Sequence, residues 1–321
     1  MRWVAAALLA LVASCAGPAA STARAASTAS TSTAGSTASA PEDDAREHVD
    51  VGGARIFIVV DGEPGVASAD ALTQWVRHSA EVVTEYLGAF PVPDIEVTLS
   101  LGGGDDIGYG EHSVGRTIHV WLGRDTDQKT FADDWVMIHE MFHAAMPDLD
   151  DDHRWMKEGL STYLEPVARA RRGEMTADAF WYSFVERMHN GKPGAYDEGL
   201  DNTHTWGRTY WGGALFFLVA DVQIRAETDN KKSMRDATRA WLAAGGNARM
   251  EWPAKRVCNV GDRGTGTAVL RTLYAKMAEA PGDVDLPALW RKLGVVVAAN
   301  GDVSFDDTAP LAAVRRGITA P

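Results

Sequence analysis

The chain has 321 residues, 45% of them apolar, which suffices for one large globular domain with a sizeable core. Its 31 lysines and arginines against 44 aspartates and glutamates give a formal net charge of −13. An acidic protein repels polyanions, so we expect no nucleic-acid partner.

The first residues are typical of an export signal. A short basic start at residues 1–2 precedes an apolar run at 4–12, which is too short to span a bilayer. The sequence Val-Ala-Ser-Cys at 12–15 resembles a bacterial lipobox, in which the cysteine is lipidated. We therefore expect a signal peptide over 1–15, lipidation at Cys15, and export to the cell envelope with a lipid anchor in a membrane. Ordinary cleavage near residues 16–17 would instead give a secreted protein.

Residues 16–47 are expected to form a disordered tether ahead of a folded domain at 48–321. Between 16 and 41 the chain is almost wholly Ala, Ser, Thr and Gly, which cannot bury a core. Two cysteines are too few for a disulfide framework. If Cys15 is lipidated, Cys258 is left as a lone cysteine, which is more often a small buried apolar side chain than a nucleophile.

The domain begins with strand patterns. Residues 54–60, 95–101 and 117–122 carry the alternating or clustered apolar side chains of strands. Between the first two strands, Ser68 is placed to cap a helix whose apolar positions recur with a period of 3.6 up to about residue 87. These elements predict a strand-rich α/β lobe that extends to about residue 130.

Helices follow. Thr130 with Asp133 predicts a capping-box start for a helix that ends at Pro147, and Ser233 with Asp236 predicts a second capping box. Further helices are predicted at about 154–170, 176–189, 209–225, 233–245, 269–277 and 287–293, and a terminal hairpin pairs 295–297 with 302–305. Strands first and helices afterwards predict an α+β fold in two lobes, of which the second is helical.

The helix that follows residue 130 carries the sequence His139-Glu140-Met141-Phe142-His143. A spacing of four places both imidazoles on one helix face, and Glu140 can project toward the same metal-bound water. This H-E-x-x-H arrangement predicts two zinc ligands and a general base on one helix.

A catalytic zinc needs a third protein ligand and an open position for water. Glu158 is a candidate, because a loop that folds its helix back against the first would bring its carboxylate to the two histidines. Gly159 beside it permits close packing of the helices. Other candidates lie in or next to the intervening loop: Asp148, Asp150, Asp151, Asp152 and His153.

H-E-x-x-H followed by Trp155-x-x-Glu158-Gly159-x-x-x-Tyr163 resembles the gluzincin metallopeptidases, among them the thermolysin-like, aminopeptidase N-like and glycyl aminopeptidase families. The resemblance implies a thermolysin-like two-lobed zincin fold, Zn²⁺ as cofactor and Glu158 as the third ligand. Further on, Tyr210-Trp211-Gly212-Gly213 resembles the Y-x-x-G helix start of the aminopeptidases, which implies that Tyr210 stabilises the oxyanion.

One further segment matches only in its glycines and its Glu-His pair. Gly108-Tyr109-Gly110-Glu111-His112 is similar to the Gly-rich segment with which aminopeptidases bind substrate, and implies that Glu111 binds the α-amine of a peptide. A turn with an exposed acid is the alternative. The chain also departs from these families, since only fourteen residues separate His143 from Glu158 and Ala144-Ala145-Met146 follows the first motif.

These observations predict zinc-dependent hydrolysis of a peptide or protein substrate outside the cytoplasm, with Glu140 as the base. The alternative is a catalytically inactive lipoprotein of the same fold that binds peptides or zinc. The other histidines are expected to be surface or hydrogen-bonded side chains, and three tryptophans to belong to the core or a pocket wall: His112, His119, His153, His189 and His204, and Trp181, Trp206 and Trp211.

Overall fold

The computed structural model describes residues 46–113, 117–298 and 300–321, which lie in one compact unit, Asp44–Pro321. The predicted signal peptide, Cys15 and the tether up to residue 45 fall outside the described residues. Two residues assigned to the tether contact the domain: Glu47 accepts a 2.7 Å hydrogen bond from Thr73 Oγ1, and Arg46 pairs with Glu96. Among the described residues, no helix combines the length and apolarity needed to cross a membrane.

A five-stranded mixed sheet forms the first part of the domain. Its strands are β1 (His48–Val51), β2 (Ala54–Asp61), β3 (Asp94–Gly102), β4 (Ile107–Ser113) and β5 (Thr117–Gly123), in the spatial order β1-β2-β3-β5-β4. The inner strands β2, β3 and β5 are parallel, and both edge strands are antiparallel to their neighbours. The three inner strands were predicted from sequence, whereas β1 and β4 were not.

The register of the sheet decides where the residues of β4 point. One row across the sheet joins His112 to Ile118, Val97 and Ile58, three side chains that are buried in the core. Because side chains alternate along a strand, Glu111 belongs to the opposite face, paired with His119. The edge strand therefore directs His112 toward the core and leaves Glu111 exposed.

Helices make up the rest of the chain. They are α1 (Ala69–Leu87), α2 (Gln128–Asp133), α3 (Val136–His143), α4 (Arg154–Arg172), α5 (Ala177–Arg187), α6 (Gly213–Glu227), α7 (Met234–Ala243), α8 (Ala254–Thr265), α9 (Val269–Met277), α10 (Leu286–Leu293) and α11 (Ala312–Thr319). A terminal hairpin joins β6 (Val295–Val297) to β7 (Val303–Phe305), as predicted. Helices α8 and α11 were not predicted. A mixed sheet followed by helices confirms the α+β class; the two-lobed arrangement stays a prediction.

The predicted start of the histidine-bearing helix is wrong. Thr130 and Asp133 lie in a separate short helix, α2, which Asp127 caps by accepting the Thr130 N–H at 2.8 Å. Helix α2 ends before Asp134. The Asp134 carboxylate accepts hydrogen bonds from the N–H groups of Val136 and Met137 at 2.9 and 3.0 Å and so caps α3. By contrast, the capping box of Ser233 and Asp236 at the start of α7 is confirmed.

Candidate metal centre and cleft

Two histidines and one glutamate meet between α3 and α4. His139 and His143 lie one turn apart on α3, with ring centroids 5.0 Å apart. The Nε2 atom of each is 3.4 Å from Oε2 of Glu158, and one donor atom from each of the three residues lies within 4.8 Å of the others. Both imidazoles are buried and the carboxylate is nearly so.

These three donors fit a zinc ion. Zn–N and Zn–O bonds of about 2.0–2.2 Å in a tetrahedral site place neighbouring donor atoms about 3.3 Å apart. The two Nε2–Oε2 separations of 3.4 Å match this spacing. Two imidazoles and one carboxylate also form a recurrent donor set of catalytic zinc, which leaves a fourth position open.

Helix α4, which carries Glu158, packs closely on α6. A Cβ added to Gly159 would lie 2.3 Å from the backbone of Gly213, and one added to Gly213 would lie 2.1 Å from the carbonyl oxygen of Trp155. Two facing glycines thus let the helix backbones touch. Close packing at Gly159 was expected against the histidine-bearing helix, whereas the partner at this glycine is α6. The same contact fixes the start of α6 beside Glu158.

Hydrogen bonds hold the first turn of α4, an arrangement that the sequence did not indicate. The Trp155 indole donates to Asp201 Oδ1 at 2.8 Å, and the Tyr274 hydroxyl donates to Asp201 Oδ2 at 2.6 Å. His153 Nε2 is 2.7 Å from the same hydroxyl. Residues from α9 and from the loop around 201 therefore anchor the helix that carries Glu158.

Glu140 is buried beside the triad, with Oε2 3.8 Å from His143 Nε2. Its position depends on Gly110 of β4, because a Cβ there would meet Glu140 Cγ at 2.5 Å. Burial raises the pKa of Glu140, the neighbouring histidines oppose this, and the charges of Glu158 and Glu111 add to it. A carboxylate with a raised pKa is better matched to accepting and returning a proton.

The pKa of Glu158 is shifted in the opposite direction. Burial alone would raise its pKa, but the charges of His143 and His139 and their hydrogen bonds hold the pKa well below the usual value for a glutamate. The carboxylate is therefore ionised at neutral pH, as a metal ligand must be.

Tyr210 lies in a turn of π-helix, Gly207–Gly212, that leads directly into α6. Such turns occur frequently at functional sites. The phenol ring is stacked 6.5 Å from the His139 ring. Burial, with the charge of Glu158, raises the pKa of Tyr210 to about 12, so the hydroxyl is protonated and can donate at neutral pH.

Arg154, the first residue of α4, was not singled out from the sequence. Its Nε lies 3.5 Å from Glu158 Oε1, the oxygen that does not face the histidines. The guanidinium also lies beside Tyr210 and lowers the pKa of that phenol. A cation therefore lies between the candidate third ligand and the candidate oxyanion donor.

The adjacent residues Glu111 and His112 on β4 differ in position. Glu111 is exposed at the cleft, whereas the His112 ring lies 5.7 Å from the ring of His143 with a buried Nε2 that has no hydrogen-bond partner. His112 is thus a mostly buried side chain that keeps one backbone hydrogen bond and leaves Nε2 without a partner. Burial, with the charge of His143, lowers the pKa of His112 to about 3, so it is neutral.

These side chains share one cleft. Its walls come from β4, α3, the loop between α3 and α4, α4 and the π-helical turn, and comprise Gly110, Glu111, His112, Glu140, His143, Leu149, Asp150, Asp151, Arg154, Lys157, Glu158 and Tyr210. The structure thus brings together Glu140, Glu158, Tyr210 and Glu111, which were predicted from segments far apart in the sequence.

Several solved structures are similar to the described domain. An aminopeptidase N family protein from Idiomarina loihiensis superposes with a TM-score of 0.60 at 15% identity, over 79% of this chain and 49% of that one. Yeast LTA4 hydrolase superposes with a TM-score of 0.50 at 12% identity, over 75% and 40%. An M1 zinc metallopeptidase from Deinococcus radiodurans gives 0.48 at 14% identity, over 75% and 53%.

The first two likenesses show that the described domain shares its fold with the Idiomarina aminopeptidase N family protein and with yeast LTA4 hydrolase. At these identities they define the fold alone. The chain spans about half of the length of the Idiomarina protein and less of the yeast enzyme. No protein-family model and no curated protein matches the sequence.

Proposed function

We propose that the chain is a zinc-dependent peptidase that hydrolyses peptide bonds outside the cytoplasm. One observation carries the proposal: His139 Nε2, His143 Nε2 and Glu158 Oε2 converge at zinc-ligand spacing, beside the buried carboxylate of Glu140. A purely structural metal site needs neither an adjacent base nor a cleft. The aminopeptidase N-like fold supports the same reaction class.

The chain's own residues would divide the reaction between them. His139, His143 and Glu158 would hold Zn²⁺, which when bound would act as a Lewis acid and lower the pKa of a water. Glu140 takes the proton from the water that attacks the scissile carbonyl, and then gives it to the leaving amine. Tyr210 donates its hydroxyl hydrogen bond to the oxygen of that carbonyl as negative charge develops there.

Because of Glu111, we propose that the peptidase is an aminopeptidase. Its carboxylate is at the cleft, on the strand that forms one wall, where it could pair with the free α-amine of a peptide. Endopeptidase action is the alternative. The proposed partners are accordingly a peptide or protein substrate and, through lipid on Cys15, a membrane of the cell envelope. Cleavage without lipidation would leave the protein secreted.

The test uses the full-length chain, in which the first fifteen residues are neither replaced nor removed. Zinc content is measured by mass spectrometry, and hydrolysis is followed on peptides with free and with N-acetylated amino termini. We expect one zinc per chain and amide hydrolysis that chelation abolishes. Faster cleavage of the free peptides supports the aminopeptidase form, and equal rates support endopeptidase action.

Glu140→Gln separates the peptidase from a binding protein. We expect this variant to retain zinc and to lose about 100- to 10,000-fold in kcat, because it removes the general base alone. Glu186→Gln, on the exposed side of α5, is the matched control and should keep full activity. Bound zinc with no turnover of any peptide by the unaltered chain would instead support the inactive peptide- or zinc-binding lipoprotein.

A further inference from the structure

Two tryptophans break the burial pattern of the others. Of the ten that the described residues include, seven are buried and Trp121 is partly so. The remaining two, Trp135 and Trp206, are 40% and 44% exposed. Large aromatic side chains left in water are a feature of binding surfaces, so the location of this tryptophan pair matters.

Both members of the tryptophan pair contact the candidate catalytic centre. The Trp135 ring is perpendicular to the His139 ring at 5.7 Å, and the Trp206 ring is tilted against the Tyr210 ring at 6.1 Å. His139 and Tyr210 themselves stack at 6.5 Å. Four rings thus form a continuous run, with the ligand and the phenol in the middle and an exposed tryptophan at each end.

Neither tryptophan is among the residues that line the cleft; each adjoins the candidate centre through one ring contact, with His139 or with Tyr210. A peptide whose scissile carbonyl is beside the Tyr210 hydroxyl places its neighbouring residues only about 3.3–3.6 Å further along the chain. The cleft itself is lined mostly by polar residues, including three exposed carboxylates: Glu111, Asp150 and Asp151. The tryptophan pair therefore adds exposed aromatic surface beside a mostly polar cleft.

We infer that the exposed rings of Trp135 and Trp206, at the two ends of this run, each offer a surface for a large apolar or aromatic side chain adjacent to the scissile bond. The inference rests on the proposed peptidase function, because it places the scissile carbonyl at Tyr210. The substrate class is accordingly peptides with residues such as Phe, Leu or Trp at one of the two positions flanking the cleaved bond.

Binding, rather than turnover, provides the test. Calorimetry on the zinc-loaded Glu140→Gln chain compares Ala-Ala-Ala with Phe-Ala-Ala and Ala-Phe-Ala. We expect at least one Phe peptide to bind about five- to tenfold more tightly than Ala-Ala-Ala, the gain of an aromatic pair beyond its buried area. Trp135→Ala or Trp206→Ala should remove most of this preference and leave the affinity for Ala-Ala-Ala within about twofold.

Two controls separate a subsite from a general effect on the site. Tyr196→Ala removes an aromatic ring that is 97% exposed and is not among the residues that line the cleft, and should leave the preference intact. Replacing the affected tryptophan by Phe should restore much of it. The inference is overturned if all three peptides bind alike to the unaltered site, or if both alanine variants keep the preference.

Failure of the peptidase proposal gives a different result. If the unaltered chain hydrolyses no peptide but the Phe preference exists and depends on either tryptophan, the subsite stands in a binding protein. If peptides are hydrolysed without any Phe preference, the enzyme stands and the subsite is wrong.

Discussion

Tyr210 is the residue whose chemistry can be tested with the smallest change. Tyr210→Phe removes one hydroxyl and keeps the ring that stacks on His139. Because the oxyanion forms only in the transition state, we expect kcat to fall about 100- to 1,000-fold with little change in KM. Steady-state kinetics on one peptide measures both constants. An unchanged kcat removes Tyr210 from the mechanism.

Arg154 is expected to act through the carboxylate that it contacts. Its Nε faces Glu158 Oε1 and leaves Oε2 for the metal, so Arg154→Ala frees the carboxylate to rotate. Partners of this kind contribute about 10- to 100-fold to metal affinity, and for a side chain that is 61% exposed we expect the lower end. Competition with a chromogenic chelator measures the zinc Kd.

The control for Arg154 is Arg291→Ala, which removes an exposed arginine from α10. Its zinc Kd should equal that of the unaltered chain. Arg154→Lys should fall between the two, since an ammonium group retains the charge and loses the planar fork. A Kd for Arg154→Ala that matches the control contradicts the positioning role.

Some residues of the site could be predicted from the sequence and others could not. His139, Glu140, His143 and Glu158 could be proposed from spacing, because ligand chemistry restricts which residues serve. Nothing local to Trp135 or Trp206 distinguishes them from the seven buried tryptophans. His112 could not be placed either, since its burial follows from the register of β4 against β5.

At the scale of elements, β4 shows why a strand can escape prediction. Two glycines, Gly108 and Gly110, lower its strand propensity. Gly110 is nevertheless suited to its place, because Glu140 occupies the space that a Cβ would take. The residue that weakens the local pattern is thus the one that the candidate site requires, and a contact between distant segments leaves no local signal.

The crossing of α4 and α6 can be tested through Gly159→Ala. The added methyl would lie 2.3 Å from the Gly213 backbone, which cannot rotate away as a side chain can. We expect the free energy of unfolding to fall by about 1–3 kcal/mol, the usual cost of overpacking. Urea unfolding followed by circular dichroism measures this. Peptidase activity should fall as well, because α4 carries Glu158 and the π-helical turn before α6 carries Tyr210.

Gly103→Ala is the matched control, since a Cβ at Gly103 meets nothing within 4 Å and its backbone is not in the left-handed region. Its stability should stay within about 0.5 kcal/mol of the unaltered chain. If both variants unfold at the same urea concentration as the unaltered chain, the helices are not held at the close approach described.

At the scale of the whole molecule, the order of strands and helices could be predicted from the sequence, because the hydrophobic periodicity of each element is a local property. The helices that were missed depend on packing. In α8, a Cβ at Gly261 would meet Leu270 Cδ1 at 2.4 Å and one at Gly264 would meet Ala240 Cβ at 2.3 Å. These glycines reduce helix propensity while allowing α7 and α9 to approach, so the neighbours stabilise a helix that its own residues predict poorly.

Zinc is expected to stabilise the entire domain. Its three candidate ligands join α3 to α4, and these helices pack in the single core of the unit Asp44–Pro321. A ligand that binds only the folded state at 100 times its Kd adds about 2.7 kcal/mol to the free energy of unfolding. Calorimetry should therefore show a Tm that rises with free zinc and falls after chelation.

The origin of that stabilisation can be assigned by ion, variant and pH. Magnesium and calcium prefer all-oxygen sites and should leave Tm unchanged, because two of the three donors are imidazole nitrogens. Glu158→Ala should lose most of the zinc-dependent increase in Tm. Glu186→Ala, at an exposed position of α5, should keep this increase. Protons compete with zinc for the imidazoles, so the increase should shrink as the pH falls from about 7.5 to about 5.5. An increase that persists in Glu158→Ala would mean that zinc stabilises the fold from a different set of ligands.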